Sequence, residues 1–193
     1  MPHLQFGTNR SFRLDLEDVT SIEPRTSQDV CIDPATAVVD ALSHPLEFPP
    51  LAKATVPGDH AAVAIADSAP QRADLALGVV ESLCGAGVEP DDVTLVLESP
   101  LDDESLLLER LQRRGFGGVQ LETHNPDDDD RLAMVGVDEN QEPLRLNRTL
   151  VEADLTMLVT GAPPHRLLGG SPGAYAGLYP QFGSRENLRL YYS

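Results

Sequence analysis

The feature that most constrains this chain is a set of short, unbroken apolar runs spaced along its middle: AAVAIA at 61–66, VTLVL at 93–97 and LTMLVT at 155–160. Five or six residues without polar alternation make a strand buried on both faces, a pattern that belongs to parallel sheets covered by helices. Between the first two runs lies a stretch of helical period, predicted as a helix over 72–86. Its apolar face carries Leu75, Val79, Val80 and Leu83, and Gly85 and Gly87 stand at its end. A second helix is predicted over 103–114, closed by Gly115, and a third strand over 119–123. Strand, helix, strand, helix, strand predicts an α/β fold: an open, mostly parallel, Rossmann-like sheet with right-handed crossovers. Ligands in such sheets sit beyond the carboxyl ends of the strands. That places Asp67-Ser68, Glu98-Ser99, Thr123-His124 and residues 161–165 at the functional end.

The flanking segments are less regular. Residues 4–16 alternate apolar and polar around Gly7-Thr8-Asn9-Arg10 and read as a β-hairpin arm. An extended arm is expected over 18–34. Asp33 then reads as an N-cap before a Pro34 helix that Pro45 stops. The Pro-rich stretch 45–57 reads as a connector. Residues 132–137 and 143–146 suggest a second strand pair about a polar turn at 138–141, and 147–153 a link into the last strand. The whole chain, 1–193, is thus expected to be one domain: hairpin, arm and linker over 1–57, and an α/β core over 58–193. With no tryptophan in the chain, that core must be aliphatic.

Charge narrows the function. Against 31 acidic residues stand 14 basic ones, a formal net charge of −17. Such a field repels phosphate backbones and anionic lipid, so neither nucleic acid nor membrane is expected as a partner. The N-terminus has no apolar core of a leader, and no apolar stretch reaches the roughly 20 residues of a membrane span. Cys31 and Cys84 lie far apart without metal spacing and are expected as reduced thiols. A cytoplasmic location follows as the expectation.

Candidate chemistry is sparse. His165 follows the last strand and Pro163-Pro164, and opens a glycine-rich loop, HRLLGGSPGAYAG, in which backbone could approach a ligand closely. The loop matches neither GxGxxG nor the P-loop pattern. Ser68, Ser99 and Ser171 lie near strand ends or in that loop, but none sits in GxSxG. His124 adjoins the acidic run 127–130, which reads as a solvated turn, since the DxDxDG spacing of a calcium loop is missing. His3, His44 and His60 are expected at the surface.

The segment 146–161, LNRTLVEADLTMLVTG, is close to the "INR-x-V-x-EADL" segment of the nickel-pincer lactate racemase family. It runs into PPHRLLGGSPG, which resembles that family's "EPH-FFAG-x-SGG" loop. VPGDHAAVAIAD, the 33–41 helix, Pro49-Pro50-Leu51, AGVEPDDVTLVL and His124-Asn125 resemble successive parts of the same N-terminal domain. The resemblance spans essentially the whole chain. It implies a scaffold whose site lies between this domain and a C-terminal one. There a pincer mononucleotide carries nickel, tethered through a lysine and completed by a histidine ligand. Two further histidines exchange protons while hydride moves between a 2-hydroxy acid and the cofactor, work that suits a pKa near neutral.

Carried over residue by residue, most of that machinery is replaced. His165 falls on one acid/base histidine, but Leu101 stands at the other's place in ESPLDD. Tyr175 stands at the tethering lysine, and Tyr191 or Tyr192 at the nickel-binding histidine. Asp67 of the "D-x-TRP" turn survives, Pro70 takes the arginine position and Arg72 follows two residues later. Leucine carries no proton, and tyrosine cannot form the lysine's link. A phenol of pKa near about 10 is a poor nickel ligand at neutral pH. The resemblance therefore implies a family member without metal or cofactor, acting as a small-ligand-binding or regulatory module. Its remnant site would comprise Asp67, Ser68, Arg72, Ser99, His165 and Ser171. The alternative is a divergent 2-hydroxy-acid racemase or epimerase with His165 as its catalytic residue. A small 2-hydroxy acid or other small ligand, a second copy, and a separate C-terminal-domain chain are the partners left open.

Overall fold

The computed structural model describes residues 3–6, 10–13, 33–161 and 177–191. The chain divides into two compact units, Met1–Ile32 and Asp33–Ser193. In the first, β1 (His3–Phe6) and β2 (Arg10–Arg13) pair antiparallel, His3 opposite Arg13, as the alternation there predicts. The turn at 7–9, the arm over 18–32 and Cys31 lie outside the described residues.

The second unit opens with α1 (Pro34–Ser43). Asp33 caps it by accepting from the Thr36 N–H and hydroxyl, the latter at 2.6 Å, and Pro34 sits in the first turn. After α2 (Leu51–Ala54), one turn inside the expected connector, come β3 (Ala61–Ile65), α3 (Arg72–Gly85), β4 (Val93–Leu97), α4 (Glu104–Arg113) and β5 (Gln120–Thr123). An antiparallel pair, β6 (Leu132–Val137) and β7 (Pro143–Asn147), precedes α5 (Arg148–Glu152), β8 (Leu155–Val159) and α6 (Arg185–Tyr191). The main sheet runs β5-β4-β3-β8, all parallel. The chain adds β4 and β5 on one side of β3, then crosses to place β8 on the other. The order reverses between β3 and β8, and that crevice is where an open sheet receives ligands.

Burial follows the apolar runs. Every residue of β3 and β4 is buried, as unbroken runs require, while the edge strands β5 and β8 are only partly so. Ala61, Val63 and Ile65 face one way, with Leu95 and Leu97, into a core completed by Leu77, Val80 and Leu83 of α3 and Leu107 and Leu111 of α4. On the other face the alanines at 62, 64 and 66 leave room for Leu150 and the fully buried ring of Phe182. Helix α1 lies against α3 at Gly78, where a side chain would come within 2.5 Å of the Ala35 carbonyl oxygen. Among the described residues no helix is long and apolar enough to cross a membrane.

One histidine and one link differ from expectation. His60 is half-buried and its Nε2 lies 3.0 Å from the Thr94 hydroxyl, so it is part of the sheet's amino end rather than free surface; His44 is exposed as expected. The expected link at 147–153 is a capped helical turn. Asn147, 1% exposed, accepts from the Leu150 N–H through Oδ1 and donates through Nδ2 to Glu122 at 2.9 Å. Arg148 donates to the Asp130 and Leu132 carbonyls. The side chains of NRT thus fasten α5 to β5 and to the acidic turn.

Candidate functional site

Strands β3, β4 and β8 stop within one residue of the ends of their apolar runs, and the residues that follow gather at the carboxyl ends. Leaving β3, Asp67 donates its N–H to Glu98 Oε2 at 2.7 Å, which ties the β3 loop to the end of β4. Ser99 donates its hydroxyl to Asp67 Oδ1 at 2.8 Å. Arg72, the first residue of α3, reaches back: its guanidinium lies 2.5 Å from the same Asp67 oxygen and donates to the Ser99 and Pro100 carbonyls at 3.2 and 3.4 Å. The reach depends on Gln71, whose φ of +48° holds the left-handed region, where a side chain costs about 1 kcal/mol or more.

On the other flank, across the β3–β8 crevice, the Ser68 and Thr160 hydroxyls lie 3.0 Å apart, and Gly161 donates its N–H to Ser68. Two glycines permit this closeness. A side chain at Gly161 would stand 2.3 Å from the Ser68 carbonyl, and one at Gly177, φ +96°, 2.4 Å from the Thr160 hydroxyl. Gly161 and Gly177, on either side of residues 162–176 in the sequence, thus stand against Ser68 and Thr160.

Of the residues expected at the site, the structure brings together Asp67, Ser68, Arg72 and Ser99. His165, Ser171 and Tyr175 lie in 162–176, outside the described residues. Glu98, expected with Ser99 at the functional end, and Thr160, the last residue of the third apolar run, complete the cluster. Half-burial pushes the Glu98 carboxyl above the usual range; the Asp67 charge adds to this, while the Asp67 N–H and Arg72 oppose it. Arg72 thus pairs with Asp67 and acts on Glu98 only through its charge, while its other hydrogen bonds go to Ser99 and Pro100. Leu101, further along the same loop, is 8% exposed and packs into the core.

Histidine 124 ends β5 but turns inward. Its Nε2 lies 2.9 Å from the Gly183 carbonyl and its ring packs on Phe182, while burial lowers its pKa. It joins the sheet to the turn before α6. The acidic run beyond it is a surface turn, as expected, with Asp127 held by Arg185 through two bonds of 2.7 and 2.6 Å. Cys84 is a half-buried free thiol, its pKa raised by burial. A cleft of about 680 Å³ beside α6, lined by Asp127, Arg145, Arg185 and Arg189 among others, includes no residue of the strand-end cluster.

The family model for the lactate racemase N-terminal domain matches residues 7–191. Among solved structures, the lactate racemase apoprotein from Thermoanaerobacterium thermosaccharolyticum shares the fold, with a TM-score of 0.57 at 16% identity. The match covers 81% of this chain and 38% of that one. No protein of curated function matches the chain.

Proposed function

Because this chain belongs to the lactate racemase N-terminal domain family, we propose that it is a member that binds a small polar ligand at the carboxyl ends of its strands without racemising it. The observation that carries this reading is Leu101, buried in the aliphatic core at the place where the family resemblance puts an acid/base histidine. A proton cannot be relayed through it, and no titratable group can replace it without opening the core. The donor set disagrees with nickel as well. The resemblance asks for imidazole where this chain has Tyr191 or Tyr192, and imidazole suits nickel far better than a phenol does. The residues do not fit the pincer cofactor.

What remains suits binding. Asp67, Ser68, Arg72 and Ser99, with Glu98 and Thr160, gather at the carboxyl ends of β3, β4 and β8, and His165 and Ser171 come later in the sequence. Arg72 is committed to Asp67, Ser99 and Pro100, so acceptors outnumber free donors there. The match is to a ligand that donates hydrogen bonds, a hydroxyl or ammonium compound, rather than to a carboxylate. The purified chain is assayed for nickel and for turnover of D- and L-lactate, and titrated with glycerol, ethanolamine and L-lactate while backbone amide shifts are followed. The expected result is no racemisation, with shifts at residues 67–72, 98–99 and 160–161 for the hydroxyl or ammonium compounds. Stoichiometric nickel with lactate turnover overturns the non-catalytic reading, and silence of those amides to all three compounds overturns the binding one.

A further inference from the structure

Among the described residues, the antiparallel pair β6–β7 carries an edge without a backbone partner. Beyond its pairing with β7, residues 133–137 of β6 make no backbone hydrogen bond among the described residues. Three of its large side chains stand in solvent, Met134 at 62%, Val135 at 47% and Val137 at 46% exposure. From Leu132 to Val137 the strand, LAMVGV, has no charge and no proline. Folded proteins usually blunt such an edge with lysine, proline or a covering element, because its free N–H and C=O groups invite another strand. Only a bulge between Met134 and Gly136 interrupts it here. An uncharged, β-branched, exposed edge marks an interaction site rather than ordinary surface.

The charges at its two ends say what fits. At the root, Arg131, Arg145 and Arg148 offset the acidic turn: Arg145 pairs with Asp129 at 2.9 Å, and Arg131 lies 3.8 Å from Asp128. At the tip, Asp138, Glu139 and Glu142 stand together and none makes an ion pair among the described residues. Asp138 spends its carboxylate on the turn's own Asn140 and Glu142 N–H groups. A second copy is a poor occupant, since each chain brings a net charge of −17. We infer that β6 is a docking edge for an extended segment of a different, basic protein. That segment is apolar and β-branched along its length, runs antiparallel to β6, and presents lysine or arginine at its amino end to the Asp138–Glu142 tip. Main-chain bonds supply the affinity and the acidic tip the direction.

The probe is an end-capped heptapeptide of two lysines followed by alternating valine and threonine, titrated into the isotope-labelled full chain. The expected result is saturable amide shifts at 132–137, weakened at least about tenfold in about 0.5 M salt, with no binding of the same peptide carrying glutamates for lysines. In Val135→Lys, checked for folding by circular dichroism, binding is lost. In Glu139→Lys, which leaves the edge intact, the preference for the basic peptide drops. The inference is overturned if the β6 amides do not move, if both peptides bind equally, or if sedimentation shows that β6 is already covered by a second copy.

Discussion

Replacing Asn147 with alanine removes two bonds at once from a side chain that is 1% exposed. The N-cap on Leu150 is worth about 1 kcal/mol. The amide donated to the Glu122 carboxylate at 2.9 Å is charge-assisted and worth about 1.5–3 kcal/mol, since the acceptor is left partly unsatisfied in a half-buried place. Glu122 keeps the Thr149 hydroxyl at 3.1 Å, which places the loss toward the lower end. A total near 3 kcal/mol is expected, a drop in Tm of roughly 10 °C for a unit of this size. Urea denaturation at pH 7 followed by circular dichroism measures it, and two further variants separate the parts. Asn147→Ser keeps the cap and loses only the bridge, so it falls between wild type and alanine. Asn147→Asp caps as well as asparagine but sets a second carboxylate against Glu122, so it is at least as damaging as alanine, and recovers in acid once either carboxyl takes a proton. An aspartate variant as stable as wild type at pH 7 would refute the reasoning, because the bridge would then contribute nothing.

Three other variants probe the candidate site and its surroundings. Gln71→Gly, at φ +48°, relieves the left-handed backbone cost and raises stability by about 1 kcal/mol by chemical denaturation. Leu101→His puts an imidazole in the core position, lowers stability by about 2–3 kcal/mol and yields no lactate racemisation in a chiral assay. His124 has a folded pKa below its ordinary value, so its contribution to stability is intact above about pH 6.5 and is lost as pH falls below that, where the unfolded chain takes up the proton first. His124→Gln, whose amide can still donate to the Gly183 carbonyl, flattens that part of the stability–pH curve in denaturation titrations between about pH 7 and pH 5.

The sheet was legible because its strands are legible: a buried parallel strand carries few polar residues to disguise it, and within β3 and β4 Thr94 is the one exception, itself buried. The shorter elements were not. Helix α2 is a single turn, inside a proline-rich stretch that argues against it, and α6 follows a glycine-rich loop with few apolar residues of its own. Asn147 read as part of a link because capping is a statement about side-chain direction, which a periodicity cannot carry. At the strand ends, Asp67, Ser68 and Ser99 were recoverable from position alone, since whatever follows a buried run lies at the mouth of the sheet. That Arg72 would turn back onto Asp67, instead of facing outward, depends on one backbone angle at Gln71. Nothing in the residue types announces it. Nor does the sequence say that Leu101 is sealed in the core; leucine in a loop is as often exposed.

The strand order has a consequence for how the chain comes to be folded at all. β3 pairs with β4 soon after both exist, but its other side waits for β8, with Ala61 meeting Leu155 only after the intervening helices, the β6–β7 pair and α5 have been made. Pairings between such distant segments are slow to close. During synthesis β3, apolar at every position, therefore stands with one open flank until almost the whole sheet has emerged. That interval, rather than the finished state, is when this chain is most exposed to aggregation.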